Sequence, residues 1–316
     1  MALGFLDAVL KRHPEAEIHI IIKKEIADLI TWYQPGLVLH RFSKKEHGGL
    51  AGMRRFGKEV GKSGPFEAFF CLPDSFSSAF IGLFTRSKLR FGFPGEGRFL
   101  LLNRIVRKPE HQHRVEEYLA LLEAWSGKVS YRVPMLMPHK PEHRFPLGTG
   151  KFLLFNINSE ASSRRLPAEK AVAWITQLRQ QYGFEIVFTG SPKEQAWVEP
   201  VEQQLAHLGS IHNYCGKTSL WQLMELVQSV DYVISVDTGL AHMANAFLKK
   251  TIILQGAAEE KHTGPWNAEN VRLVRQPGLE CAPCRSNTCQ FGTPKCLADM
   301  ETFRVMQALE ELMQGT

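Results

Sequence analysis

Short apolar, often β-branched runs alternate along this chain with stretches whose apolar positions recur every three to four residues. In the first half, 16–22, 37–42, 66–72 and 89–93 read as strands, and 2–12, 51–61, 77–84 and 115–125 as helices. The rhythm is cleaner in the second half. Strands are predicted at 152–156, 185–189, 232–236, 251–254 and 271–274, with helices at 168–182, 193–207, 220–228 and 240–247. Strands alternating with helices of this length predict α/β architecture with parallel sheets and right-handed crossovers.

At 316 residues the chain is long enough for two domains, each with its own core. The stretch 132–150 carries Pro134, Pro138, Pro141 and Pro146 with little periodicity, and reads as the linker. We therefore expect two doubly wound, Rossmann-like domains, 1–145 and 146–316, facing across a cleft at the C-terminal ends of their strands. The chain opens directly in an amphipathic helix, where a parallel α/β domain ordinarily opens with a strand. There is no internal repeat and no low-complexity tract.

Hydrophobic content of 44% and charged content of 22% are ordinary for a soluble domain, and no apolar run nears the ~20 residues of a membrane span. The N-terminus has neither a basic n-region nor a small-residue cleavage site, so a cytoplasmic protein is expected. The net charge of +6 is uneven. Residues 1–150 hold 23 Lys and Arg against 15 Asp and Glu, and the remainder 15 against 17. A basic first half fits an anionic partner such as a phosphorylated lipid, a membrane surface or nucleic acid; it also fits a solvated, Lys-rich surface.

The most informative segment is 233–247, VISVDTGLAHMANAF. An apolar run ends in Asp237-Thr238-Gly239, and a helical pattern begins at once. Asp and Thr start helices, and Gly lets a ligand approach the backbone. The free N–H groups of the first turn form an anion site with the helix dipole. His242, one turn inside, can aim at the same point; its alternative role is a buried structural histidine.

Other segments extend this picture. Gly216-Lys217-Thr218-Ser219 resembles a P-loop, but the required glycine five residues before the Gly-Lys pair is Ile211. That reading is rejected: Thr218 or Ser219 is the expected helix cap, and Lys217 a candidate ligand contact. The polar loop 156–167 contains Arg164 and Arg165, whose fork geometry suits a diphosphate. Glu194 follows Thr189-Gly190-Ser191-Pro192 and fits either ribose hydroxyls or the dipole of the helix it opens. Cys281, Cys284, Cys289 and Cys296 follow C-x2-C-x4-C-x6-C, a candidate structural zinc site, with free thiols or oxidised pairs as alternatives. Cys71 and Cys215 stand alone and read as packing residues. His111, His113 and Arg114 form a basic cluster, either an acceptor-phosphate contact or a solvated loop.

Taken together, these segments resemble glycosyltransferase family 9, the ADP-heptose:lipopolysaccharide heptosyltransferases, over essentially the whole chain. The resemblance rests on Ser235-Val-Asp-Thr-Gly-Leu-Ala-His-Met-Ala, Leu254-Gln-Gly, Gly264-Pro265 and the cysteine cluster. Arg164-Arg165-Leu166-Pro167 is similar to the family's Lys-Arg-Trp-Pro element, with Arg164 in place of the phosphate-contacting Lys. Glu194 sits where the family has its ribose-binding acid, and 216–220 matches its pre-helix turn. The resemblance implies a GT-B fold, an acceptor-binding first domain, a nucleotide-sugar-binding second domain and a last helix that packs back across.

It also implies a strand and a Gly-Asp loop ahead of the helix that opens this chain. The Asp of that loop, the presumed general base, would lie upstream of Met1, and Asp7 does not match it by motif. The implied reaction is inverting transfer of heptose from ADP-heptose to the lipid A–core acceptor, in the cytoplasm or peripheral at the inner face of the inner membrane. Arg164, Lys217, Thr218, Asp237, Thr238, Gly239 and His242 would bind the donor, with His242 also catalytic. No Asp-x-Asp motif occurs, so no cofactor is expected to be required for catalysis. The alternatives are a catalytically impaired nucleotide-sugar-binding remnant and a nucleic-acid-binding protein. The latter is disfavoured because aromatic–basic interleaving is lacking and the cysteines lie in the neutral half; no nucleic-acid partner is expected.

Overall fold

The computed structural model describes residues 1–130, 135–143 and 145–315. The chain divides into two compact units, Met1–Pro134 and Met135–Thr316. This division falls earlier than the expected 145/146 boundary, because much of the Pro-rich stretch is tied to the second unit. Leu136 N–H donates to Ala246 O at 2.8 Å. His139 and Gln228 exchange two hydrogen bonds, at 2.9 and 2.7 Å. Glu225 accepts from the Glu142 N–H at 2.7 Å.

The first unit runs α1 (Ala2–Arg12), β1 (His19–Lys23), α2 (Ala27–Tyr33), β2 (Val38–Phe42), α3 (Lys44–His47), α4 (Gly49–Val60), β3 (Phe66–Phe70), α5 (Phe76–Leu83), β4 (Ser87–Gly92), β5 (Arg104–Ile105) and α6 (Arg114–Ser126). Its strands are parallel but form two sheets, β1-β2 and β3-β4-β5. β1 and β3 meet through side chains: the His19 and Phe66 rings lie 4.9 Å apart. The apolar face of α1 is buried through Leu3, Phe5, Leu6 and Val9, with the Phe5 ring 5.2 Å from Phe70 of β3. α1 also packs closely on α6, since a Cβ at Gly4 would come within 2.8 Å of Val115 Cγ1.

The second unit continues with β6 (Phe152–Asn156), α7 (Ala168–Tyr182), β7 (Glu185–Phe188), α8 (Gln195–Leu205), β8 (Ile211–Asn213), α9 (Leu220–Ser229), β9 (Tyr232–Val236), α10 (Gly239–Ala246), β10 (Lys250–Gln255), α11 (Glu260–Thr263), β11 (Val271–Arg275), α12 (Lys295–Ala298) and α13 (Thr302–Gln314). Its six parallel strands are ordered β11-β10-β9-β6-β7-β8. β6 is buried along its whole length, which explains its continuous apolar run. The final helix belongs to the core of this unit. Val305, Met306, Leu309 and Leu312 of α13 join the cluster that contains Leu153, Trp174 and Ile252.

β6 has β7 on one side and β9 on the other, so the chain reverses its direction of winding between β6 and β9. Open α/β sheets bind ligands outside the carboxyl ends of their strands at this switch point.

Candidate active site

Asn156, the last residue of β6, is in register with Ser235 of β9 at the switch point. Its side-chain amide donates to Ser235 Oγ at 3.0 Å and Thr238 Oγ1 at 3.2 Å, and its Oδ1 accepts from the Asn158 N–H at 3.3 Å. Ser235 Oγ donates onward to Val236 O at 2.7 Å. These bonds fix the turn that carries Asp237 and Thr238 out of β9. They also change the expected role of Thr238. It occupies the N-cap position of α10 with extended backbone, yet its side chain makes no cap bond. At the start of α9, by contrast, Ser219 forms a capping box with Gln222. The first turn of α10 therefore presents N–H groups without a side-chain cap, and a Cβ added at Gly239 would meet nothing within 4 Å. This is the open approach to a helix terminus that an anion requires.

Asp237 is nearly buried, at 7% exposure. Its carboxylate lies 3.7 Å from His242 Nε2 and 4.0 Å from Arg164 Nη1. Burial pushes its pKa up, and the Arg164 charge pulls the other way. Arg164 is braced from outside the sheet. Its Nη2 donates to Asn287 Oδ1 at 3.3 Å, and the adjacent Ser163 is held by Ser286 O at 2.6 Å and Asn287 O at 3.2 Å. The Nε of Arg164 is buried and has no partner among the described residues. Arg165 is directed elsewhere, donating to Ser159 O at 2.7 Å with its guanidinium over the Trp197 ring at 5.6 Å.

A second polar group lies at the end of β7. The Asn158 amide donates to Thr189 O at 2.9 Å, while Asn158 Oδ1 and Thr189 Oγ1 are buried with no partner among the described residues. Gly190 is closely enclosed. A Cβ there would lie 2.8 Å from Asn158 Nδ2, 2.8 Å from Cys215 Sγ and 3.2 Å from Glu194 Oε2. Glu194 thus reaches the same strand end, though Oε2 already accepts from the Ser191 N–H at 2.7 Å and hydroxyl at 2.9 Å. The Gly216 N–H joins this edge through Gly190 O at 2.8 Å. Lys217 is exposed and donates to Asn213 O at 2.9 Å, within its own turn. Ser219, and not Thr218, caps α9.

The structure brings Arg164, Asp237, Thr238, Gly239 and His242 together, with Glu194 on the adjoining strand end. Lys217 and Thr218 stay in the turn ahead of α9. Asn156, Asn158, Ser235 and Asn287 are additional members of the site. An asparagine closing a fully apolar strand was the available signal for Asn156.

The other candidates have local partners. His113 caps α6 in a capping box with Glu116, and Arg114 pairs with Glu117 at 3.2 Å and Asp74 at 3.8 Å. Asp7, in the middle of α1, pairs with Lys11 and accepts from the Tyr33 hydroxyl at 3.3 Å. Cys71 and Cys215 are buried, as expected for packing residues. All six cysteines are free thiols, and among the described residues no group of three or more His, Cys, Asp or Glu is arranged to hold a metal ion.

A doubly wound sheet with an uncapped helix terminus, an arginine and a histidine at its switch point defines a module of the Rossmann type with a candidate anion site. The chain belongs to glycosyltransferase family 9 (heptosyltransferase), whose model matches residues 53–294. It is 27% identical over 289 residues to lipooligosaccharide heptosyltransferase 2 of Haemophilus ducreyi, covering 84% of this chain and 82% of that protein. It is also 26% identical over 295 residues to the lipopolysaccharide core heptosyltransferase OpsX of Haemophilus influenzae, covering 88% and 82%. The solved ADP-heptose LPS heptosyltransferase II of Escherichia coli superposes with a TM-score of 0.81 at 22% identity, covering 98% of this chain and 93% of that one. A family 9 glycosyltransferase from Veillonella parvula gives 0.82 at 18% identity, covering 100% and 96%. The chain is a glycosyltransferase with the GT-B fold. No helix among the described residues is long and apolar enough to cross a membrane.

Proposed function

We propose that this chain transfers heptose from ADP-heptose to the inner core of lipopolysaccharide, with inversion at the anomeric carbon. The observation that carries the proposal is the uncapped N-terminus of α10 at the switch point, with Arg164 and His242 both beside Asp237. The names of the relatives give the sugar and the pathway.

In the proposed reaction an acceptor hydroxyl attacks the anomeric carbon. A carbon–oxygen bond forms as the bond to the ADP β-phosphate breaks, and ADP departs with the electron pair. Arg164 and the first-turn amides of α10 stabilise the growing diphosphate charge, with His242 donating to the same oxygens. Asp237 orients Arg164 and His242. Glu194 takes the ribose, and Lys217 and Thr218 border the nucleotide. Leaving-group stabilisation by protein groups alone removes any need for a cofactor. A carboxylate takes the acceptor's proton, a contribution typically worth 10²–10⁴-fold. The basic first half suits a lipid A–core acceptor at the inner face of the inner membrane.

Titration calorimetry with ADP and ADP-heptose, beside a transfer assay on heptose-deficient core acceptor, tests the proposal. Transfer with inverted anomeric configuration by NMR is expected. Binding of ADP-heptose without transfer would identify a nucleotide-sugar-binding protein instead.

A further inference from the structure

The turn that follows β4 inverts the usual sorting of side chains. Arg98 is buried, at 2% exposure, while its neighbours Phe99 and Leu100 are 62% and 76% exposed. Single exposed apolar residues are ordinary on a protein surface; an adjacent pair beside a buried arginine is not. The inversion is held in place. The Arg98 guanidinium donates to Asp74 Oδ1 at 3.2 Å and to the carbonyls of Pro73, Pro94 and Gly95 at 3.2, 2.9 and 3.2 Å. Gly95 and Gly97 take positive φ, 117° and 71°, a backbone that strains other residues. Immediately after the pair, Leu101 and Leu102 are buried against Cys71 and Ala79. Phe99 and Leu100 are thus presented to solvent by a turn braced on both sides.

The surroundings of this apolar tip are basic. Arg90 N–H donates to Asn103 Oδ1 at 2.7 Å, Arg90 Nε to Leu101 O at 2.9 Å, and Asn103 Nδ2 to Lys88 O at 2.9 Å. Lys88 and Arg90 of β4 therefore lie beside the turn, and Arg104 follows it on the edge strand β5. Residues 86–108 hold seven Lys and Arg and one acid, Glu96. Glu96 is turned onto the Phe76 N–H at 3.1 Å, which ties the start of α5, with the exposed Phe76, to the same turn. Arg107 pairs with Glu110, and Lys108 with Asp74. Arg90 and Arg104 are bonded to backbone carbonyls, which leave their charge uncancelled.

We propose that this turn is a membrane-docking surface, at which Phe99 and Leu100 enter the interfacial layer of an anionic bilayer while Lys88, Arg90 and Arg104 lie against its headgroups. Peripheral proteins divide their membrane affinity in this way between buried apolar area and attraction to anionic lipid. Two exposed side chains fall far short of the ~800 Å² that a stable protein interface covers on each partner, whereas a fluid bilayer needs no complementary pocket. The turn leaves the C-terminal end of β4, the end at which an open α/β sheet takes its ligand. A bilayer seated here brings lipid-borne acceptors to that end of the first unit. This use of the surface rests on the acceptor reading above; lipid binding itself does not.

Flotation of the full chain with lipid vesicles tests the inference. Binding is expected to mixed phosphatidylglycerol–phosphatidylcholine vesicles and to be much weaker with phosphatidylcholine alone. Phe99→Ser/Leu100→Ser should weaken it at least ~10-fold with the melting temperature unchanged, and Arg104→Gln about fivefold at low salt. With the double variant, transfer to a vesicle-borne acceptor should fall in step with binding, and transfer to a soluble, delipidated core oligosaccharide should not change. No vesicle binding, equal binding to both vesicle types, or full binding by the double variant overturns the inference. Self-association that the double variant abolishes, in a protein that ignores vesicles, makes the turn a contact between protein chains instead. Vesicle binding without heptose transfer to either acceptor overturns the proposed function and leaves the lipid surface standing.

Discussion

The Asn156 side-chain amide donates to the Thr238 hydroxyl at 3.2 Å, joining the end of β6 to the residue that opens α10. This bond withdraws the hydroxyl from the helix terminus it would otherwise cap. A threonine at an N-cap ordinarily satisfies one of the first-turn N–H groups; here that capacity is given up, and the amides remain available to a ligand. The arrangement sacrifices local helix stability for an anion site, as functional sites commonly do.

Replacing Asn156 should expose this exchange. Asn156→Ala removes a buried amide that serves Ser235, Thr238 and Asn158, so a loss of about 1–3 kcal/mol is expected from the groups left unsatisfied. With its anchor gone, Thr238 Oγ1 can turn onto α10, and ADP affinity should fall. Urea unfolding beside calorimetry checks both. Unchanged ADP binding in a destabilised protein would mean that Thr238 does not govern access to the helix terminus.

His242→Ala separates catalysis from architecture. The ring is partly exposed, at 29%, so its loss should cost little stability, within about 1 kcal/mol for a position outside the core. Turnover should fall roughly 10²-fold if the imidazole donates to the departing diphosphate. Comparable losses in thermal stability and rate would instead make His242 a structural residue.

Arg164 tests geometry against charge. Arg164→Ala should raise the KM for the donor by about 10–100-fold, the range for a lost charged hydrogen bond of ~1.5–3 kcal/mol. Arg164→Lys keeps the charge but loses the fork that spans Asn287 and the diphosphate, so only partial recovery is expected. Steady-state kinetics at varied donor concentration distinguish the two. Full recovery by lysine would show that charge alone matters at this position.

The legibility of the site in the sequence varied with the range of the interactions involved. The strand–Asp-Thr-Gly–helix turn was readable because its determinants are contiguous: an apolar run, a helix start and an apolar helical face. β8 escaped notice because Ile211–Asn213 has three residues, two of them polar, and its pairing with β7 is supplied by the sheet. α2 and the two-residue β5 were missed for the same want of length. Asn287 was invisible as a site residue, since it lies 123 positions from Arg164 and nothing local marks their contact. By residue type alone the two arginines at 164 and 165 are equivalent, and the resemblance singles out Arg164; the structure sets Arg164 beside Asp237 and stacks Arg165 on the Trp197 ring.

Asp237 makes stability depend on pH in a direction that can be worked out. Burial raises its pKa above the ordinary carboxylate value, and Arg164 offsets this only in part. The folded state therefore binds the proton more tightly than the unfolded chain. Its contribution is fully present below the unfolded value of about 3.9 and is lost as pH rises through the folded-state pKa. Asp237→Asn removes the ionisation. In the absence of nucleotide the variant should match wild type near pH 4 and become the more stable of the two as pH rises, with the difference levelling off above the folded-state pKa. Urea unfolding of both proteins from pH 4 to 8 measures it. The same substitution should slow transfer, because a neutral amide no longer holds Arg164 by charge. A gain in stability coupled to a loss in rate is the signature of a residue retained for function. A stability difference that stays constant with pH would remove Asp237 from both roles.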